Sequence, residues 1–238
     1  MSKNTPDSNG KNGNGNGNGN GHGHEHGLEH RHGHDDLPLQ EDSYYQIKIS
    51  LVDSPLPIWR RVLIRADAPL SIVHQVVQIT MGWFNTHLHH FEQNGKVFGD
   101  PEEAESGETI HDYNHYALSD LLVERGDEVS YIYDYGDDWK HRIVLEDIQY
   151  SDVPENAIAQ CTMGKRACPP EDVGGVEGYA NFISIIEDPE HEQYLDTLQW
   201  VGCDFDPNSF DPRQVNLRIQ MMEERLQSLA TQFVSSSN

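Results

Sequence analysis

Residues 129–145 read VSYIYDYGDDWKHRIVL. Two runs rich in aromatic and β-branched residues flank the link Tyr135-Gly136-Asp137-Asp138, so the stretch is a hairpin. Alternation puts Trp139, His141, Ile143 and Leu145 on one face of its second strand. Residues 44–52 alternate in the same way, with Tyr45, Ile47, Ile49 and Leu51 on one face. Pro55 and Pro57 interrupt the pattern, and residues 58–64 resume it as a neighbouring strand. Pro69 and Ser71 open a helix over 72–81 that buries Val73, Val76, Val77 and Thr80 and ends at Gly82. Residues 87–91 and 96–98 flank Asn94-Gly95, the residue pair of a type I′ turn, and predict another hairpin. A polar loop over 100–115 and a short helix or turn over 117–123 follow.

The C-terminal third changes character. Residues 161–175 read as an irregular loop, stiffened by Pro169-Pro170. Residues 179–187 and 190–200 read as helices, and Asp211-Pro212 has the residue types that start a last helix to about residue 229. Strands early and helices late, without βαβ alternation, define an α+β fold: an antiparallel sheet of a strand pair and two hairpins, packed by mostly C-terminal helices. No internal repeat is present.

Residues 1–40 hold almost nothing apolar and alternate Gly with Asn, then Gly with His, so disorder is expected there. Residues 41–232 then form a single domain with one core. The six imidazoles of His22, His24, His26, His30, His32 and His34 offer a weak, poorly selective metal tract; the plain alternative is a soluble spacer. The chain carries 16 basic and 40 acidic residues, net charge -24. That charge disfavours nucleic acid as a partner. No apolar run reaches the roughly 18 residues that span a bilayer. The absence of an apolar signal core and the odd number of cysteines point to a reducing cytoplasm.

Three constellations carry potential chemistry. In His87-Leu88-His89-His90-Phe91, strand alternation puts His87, His89 and Phe91 on one face, so two imidazoles can reach one metal ion. Around the 129–145 turn, Asp134, Asp137 and Asp138 crowd together ahead of His141, which sits in an apolar set. Arg60, Arg61 or a metal ion would relieve that crowding. In Cys161-x6-Cys168-Pro169-Pro170-Glu171-Asp172-Val173-Gly174-Gly175, a stiff step presents a Glu-Asp pair, and the two cysteines are expected as buried free thiols. Each constellation also has a bland reading: hydrogen-bonded hairpin histidines, a local Asp turn and a structural loop.

Residues 58–61 (IWRR), 81–83 (MGW), 87–89 (HLH), the 133–141 run and Cys168-Pro169-Pro170-Glu171-Asp172-Val173-Gly174-Gly175 occur in that order. Together they resemble the plasmid pRiA4b ORF-3-like family over about residues 43–215. Tyr135 stands where that family commonly has phenylalanine, and His90 where it commonly has an acid. The resemblance implies an α+β fold and a bacterial, mobile-element context; such proteins are often labelled transposon-passenger or TnpR-like. A resolvase needs a nucleophilic serine among arginines and a basic DNA-binding segment. This acidic chain shows neither, so resolvase activity is not expected.

Two functional readings share these residues. In the first, a soluble binding module takes an unidentified protein or small-molecule partner on the aromatics Trp83, Phe91, Tyr133, Tyr135 and Trp139. In the second, a metal-dependent, hydrolase-like enzyme holds zinc, manganese or iron on His87, His89, Asp134, His141 and Asp172. There His141, Asp137, Asp138 or Glu171 serves a bound water, and Arg60 or Arg61 stabilises negative charge. A purely structural role for all of them is the third possibility. The enzyme reading requires the three constellations to share one cleft.

Overall fold

Alternation places β1 (Tyr44–Leu51) at the heart of a sheet: Tyr45, Ile47, Ile49 and Leu51 are buried, while Gln46, Lys48 and Ser50 keep some exposure. A central strand needs partners for both rows of backbone groups. β2 (Trp59–Arg65) and β7 (Trp139–Gln149) supply them, both antiparallel, with Ile47 opposite Val62 on one side and Leu145 on the other. The computed structural model describes residues 43–104, 107, 109–149, 157–202 and 205–236, with side chains to 232. The expectations for residues 1–40, tail histidines included, lie outside the described residues.

The remaining strands are β3 (His89–Gln93), β4 (Lys96–Gly99), β5 (Ile110–Asp112), β6 (Glu128–Tyr133) and β8 (Ala159–Lys165). They form one sheet with β1, β2 and β7, in the order β5-β4-β3-β6-β7-β1-β2-β8. Every neighbouring pair is antiparallel except β4 and β5. Asn94 and Gly95 both take positive φ, 51° and 74°, as a type I′ turn between β3 and β4 demands.

α1 (Leu70–Met81) buries Val73, Val76, Val77 and Thr80 against the sheet and ends at Gly82, whose φ of 102° suits only glycine well. α2 (Leu118–Leu121) is a single turn. α3 (Gly175–Ile186), α4 (Tyr194–Val201) and α5 (Pro212–Ser236) make up the C-terminal third. Asp211 Oδ1 accepts from Arg213 N–H at 2.9 Å, the N-cap bond its position suggests, and α5 runs a turn or two beyond the expected residue 229. The fold is α+β. Among the described residues no helix is long and apolar enough to cross a membrane.

Two stretches expected as loops contain strands. Residues 110–112 form β5; three residues are too few for a period-two pattern to register. Residues 159–165 form the edge strand β8, which the run Thr162-Met163-Gly164-Lys165 disguises as loop. Its register shifts between Arg61 and Val62, and side chains of α5 satisfy part of its edge. Asn216 accepts from Cys161 N–H at 2.7 Å and donates to Cys161 O at 2.9 Å, and Glu223 accepts from Ile158 N–H at 2.7 Å. An edge covered in this way resists pairing with another chain.

Candidate metal centre

β3 and β6 run antiparallel with His89 opposite Tyr133, so the residues just before one and just after the other leave the sheet together. Asp134 N–H donates to the Leu88 carbonyl at 2.9 Å, and the His87 and Asp134 side chains meet, Nε2 to Oδ2, at 3.6 Å. Asp134 lies in the left-handed region at φ 58°, which aspartate tolerates because its carboxylate bonds locally. Its Oδ1 accepts from the N–H groups of Gly136 and Asp137 at 2.9 and 3.3 Å. That leaves Oδ2 for His87.

The proline-stiffened loop closes the other side. Trp83 Nε1–H donates to the Pro169 carbonyl at 3.0 Å, and Gly174 N–H donates to Asp137 Oδ2 at 3.1 Å. Gly175, at φ 67°, lies so close to the turn that a Cβ there would sit 2.5 Å from the Asp137 carbonyl oxygen. Glycine is therefore the condition for the loop to reach the aspartate turn. Glu171 Oε1 accepts from Phe84 N–H and from the Tyr133 hydroxyl, each at 3.0 Å. Its Oε2 is buried without a hydrogen-bond partner among the described residues and lies 3.9 Å from His87 Nε2. Asp172, mostly exposed and at φ 57°, brings Oδ1 to 3.4 Å from the same nitrogen.

Ligand atoms of His87, Asp134 and Asp172 all fall within 4.8 Å of one another. Donors about 2.1 Å from one ion stand about 3.4 Å apart in a tetrahedron, which is the scale of these separations. Three carboxylates surround one imidazole, and among the described residues no lysine or arginine pairs with any of them. Carboxylate oxygens with one imidazole suit manganese, iron or zinc.

Several expected site residues lie elsewhere. His87 is not on β3, which begins at His89, so the two imidazoles do not share a face. His89 instead turns into the core and stacks on His74, ring centroids 3.4 Å apart; burial, with the nearby His90 charge, pushes its pKa down to about 4. His141 is wholly enclosed. Its Nδ1 faces the Tyr131 and Trp139 carbonyls at 3.2 and 3.1 Å, and burial lowers its pKa to about 4. It is a core histidine.

Neither arginine serves the aspartates. The buried Arg60 donates to the carbonyls of Thr80, Trp59 and Lys165, and its guanidinium lies over the Phe210 ring. Arg61 forms a two-pronged pair with Glu146 at 2.5 and 3.0 Å. Opposite pointing on adjacent strand positions explains both. Asp138 pairs with Lys140 at the surface, 2.8 Å away, and Asp137 spends Oδ2 on Gly174. Cys161 and Cys168 are buried free thiols.

Of the aromatics expected to line a groove, Trp83, Phe91, Tyr133 and Trp139 belong to the core; the last three lie on the inner strands β3, β6 and β7. Tyr135, 47 % exposed, bonds His90 Nδ1 through its hydroxyl. Two contacts escaped the sequence reading, which took Tyr133 only as a groove aromatic. The Tyr133 hydroxyl and the Phe84 N–H hold Glu171, yet neither residue type signals such a role. His74, on the buried face of α1 beside Val73, carried a readable signal in its helical position.

Asp172 also lines a groove of about 390 Å³ between α3 and α4. A larger cavity, about 670 Å³, lies by the β3–β4 turn and is lined by none of the cluster residues.

This fold and site define a class: an α+β protein whose sheet end carries a histidine–carboxylate cluster. The chain belongs to the plasmid pRiA4b ORF-3-like protein family, which it matches over residues 43–214. It is similar to the uncharacterised protein y4hQ of Sinorhizobium fredii, at 35% identity over 176 residues, 73% of this chain and 89% of that one. It is also similar to the crystal structure of MM3350, a protein of unknown function from Methanosarcina mazei Go1. There the TM-score is 0.65 and the identity 35%, covering 73% of this chain and 98% of the other.

Proposed function

We propose that this protein binds one divalent metal ion on His87, Asp134, Glu171 and Asp172 and uses it in hydrolase-like chemistry. The observation that carries the reading is the Glu171 carboxylate. One oxygen is fixed by two donors while the other is buried, has no hydrogen-bond partner among the described residues and lies at ion-pair distance, 3.9 Å, from the His87 imidazole. A buried acceptor without a donor is costly, and a cation between these groups removes the cost. When bound, the ion would supply Lewis acidity and an acidified water. Asp134 and Glu171 are the oriented ligands, held by backbone N–H groups and the Tyr133 hydroxyl. Asp172 stands at the open side, where a ligand would enter.

The reading is tested by equilibrium dialysis of manganese and zinc against full-length chain whose six tail histidines are changed to asparagine. One ion per chain is expected, lost in His87→Ala and Asp134→Asn and retained in His141→Gln if that variant folds. Absence of binding, or binding indifferent to His87 and Asp134, would refute it.

A further inference from the structure

The groove between α3 and α4 meets the cluster at Asp172, which lines both. Among the described residues its charged lining groups are Asp172 and Asp196, and no lysine, arginine or histidine lines it. Asp196 and Trp200 stand four residues apart on α4, so they share one helix face. Trp200 is 53 % exposed and makes a T-shaped contact with Phe182, ring centroids 6.0 Å apart. Asn181 and Gln193 add uncharged hydrogen-bonding groups.

We propose that this groove receives a cationic ligand, an amine- or guanidinium-bearing molecule such as a lysine- or arginine-containing peptide, and leads it to the His87 cluster. The assignment of the cluster end rests on the metal reading; the cation selectivity of the groove does not. A carboxylate one helical turn from a half-exposed indole attracts an alkylammonium group through charge and through the ring quadrupole. An anionic ligand would meet two carboxylates, no compensating cation among the described residues and a chain of net charge -24. A neutral sugar could use the indole and the amides but would gain nothing from Asp196, and that difference separates the two occupants.

The test is calorimetric titration of the full-length chain, with and without manganese, using three probes. These are an acetylated Ala-Lys-Ala amide, the same peptide with norleucine replacing lysine, and maltose. The lysine peptide is expected to bind, and the norleucine peptide to bind at least about fivefold more weakly. Asp196→Asn and Trp200→Leu should each weaken the lysine peptide by a similar factor and leave manganese stoichiometry unchanged. Asp196→Asn alters no packing, so its result stands if Trp200→Leu misfolds. Equal binding of both peptides, a preference for maltose, no binding of the lysine peptide, or indifference to Asp196→Asn would overturn the proposal. Lysine-peptide binding that depends on Asp196 in a chain binding no manganese would support the groove and refute the metal reading. Manganese binding without peptide binding would do the reverse.

Discussion

Gly175 sits against the backbone of Asp137, with room for a hydrogen and none for a methyl: a Cβ would meet the Asp137 carbonyl oxygen at 2.5 Å. Residue 175 also takes a φ of 67°, which an L side chain adopts only with strain. Gly175→Ala should therefore push the Glu171–Asp172 loop away from the aspartate turn. We expect a stability loss of about 1–3 kcal/mol in urea unfolding, with metal affinity falling further than stability. An unchanged affinity would mean that loop and turn do not form one site.

Tyr133 gives a cleaner probe, since its ring packs in the core and edge-to-face with His87, and its hydroxyl alone bonds Glu171. The hydroxyl donates to Glu171 Oε1 and accepts from Thr86 N–H at 3.1 Å. Tyr133→Phe keeps the packing and frees the carboxylate to rotate. Loss of such an outer-shell bond typically weakens metal affinity about 10–100-fold. The stability loss should stay near about 1 kcal/mol by thermal unfolding.

Acid should destabilise the protein through its buried imidazoles. Burial, with the neighbouring His89 charge, lowers the His74 pKa to about 3, and burial lowers those of His89 and His141 to about 4. His74 keeps its neutral ring bonded to the Tyr131 hydroxyl and to Asn85. The unfolded chain takes up these protons below about pH 6.5, and the folded one resists them. Stability from these three groups is therefore whole above about pH 6.5 and is lost progressively as pH falls towards 4. Melting temperature against pH should show this fall, and His89→Gln should shallow it. A flat profile between pH 6.5 and 4 would contradict the burial of neutral rings.

The two adjacent arginines should behave oppositely. Arg61 and Glu146 form a partly exposed pair, so Arg61→Ala should lose about 0–1 kcal/mol and leave metal binding alone. Arg60 is buried, with its pKa lowered by desolvation, and it satisfies three carbonyls from β2, α1 and β8. Arg60→Leu leaves those acceptors unpaired, so a loss of about 2–4 kcal/mol is expected in chemical denaturation. Comparable effects of the two changes would rule out the assigned environments.

What was legible in the chain follows from length and period. β1, β2, β6, β7 and α1 each carry enough residues for alternation or helical spacing to show, and Asn94-Gly95 marks its turn by residue type alone. β5 is too short, and β8 is an edge strand whose outward residues read as loop. The candidate cluster was half legible. Asp134, Glu171 and Asp172 stood out as acids held by turn and proline chemistry, and they do meet His87. The pairing of His87 with His89 failed because strand parity holds only inside a strand, and β3 begins two residues after His87. The full enclosure of His141 was not legible, because the sequence reported only the presence of its apolar neighbours. Gly175 was readable as permissive, but its partner Asp137 lies 38 positions away, beyond any local signal.

The most direct measurement of the central claim is anomalous scattering from a crystal of the full-length chain grown or soaked with manganese. The account predicts one strong anomalous peak about 2.0–2.2 Å from His87 Nε2, with oxygens of Asp134, Glu171 and Asp172 around it. A manganese-saturated crystal with no peak there, or with His87 hydrogen-bonded to its carboxylates in place of an ion, would contradict it.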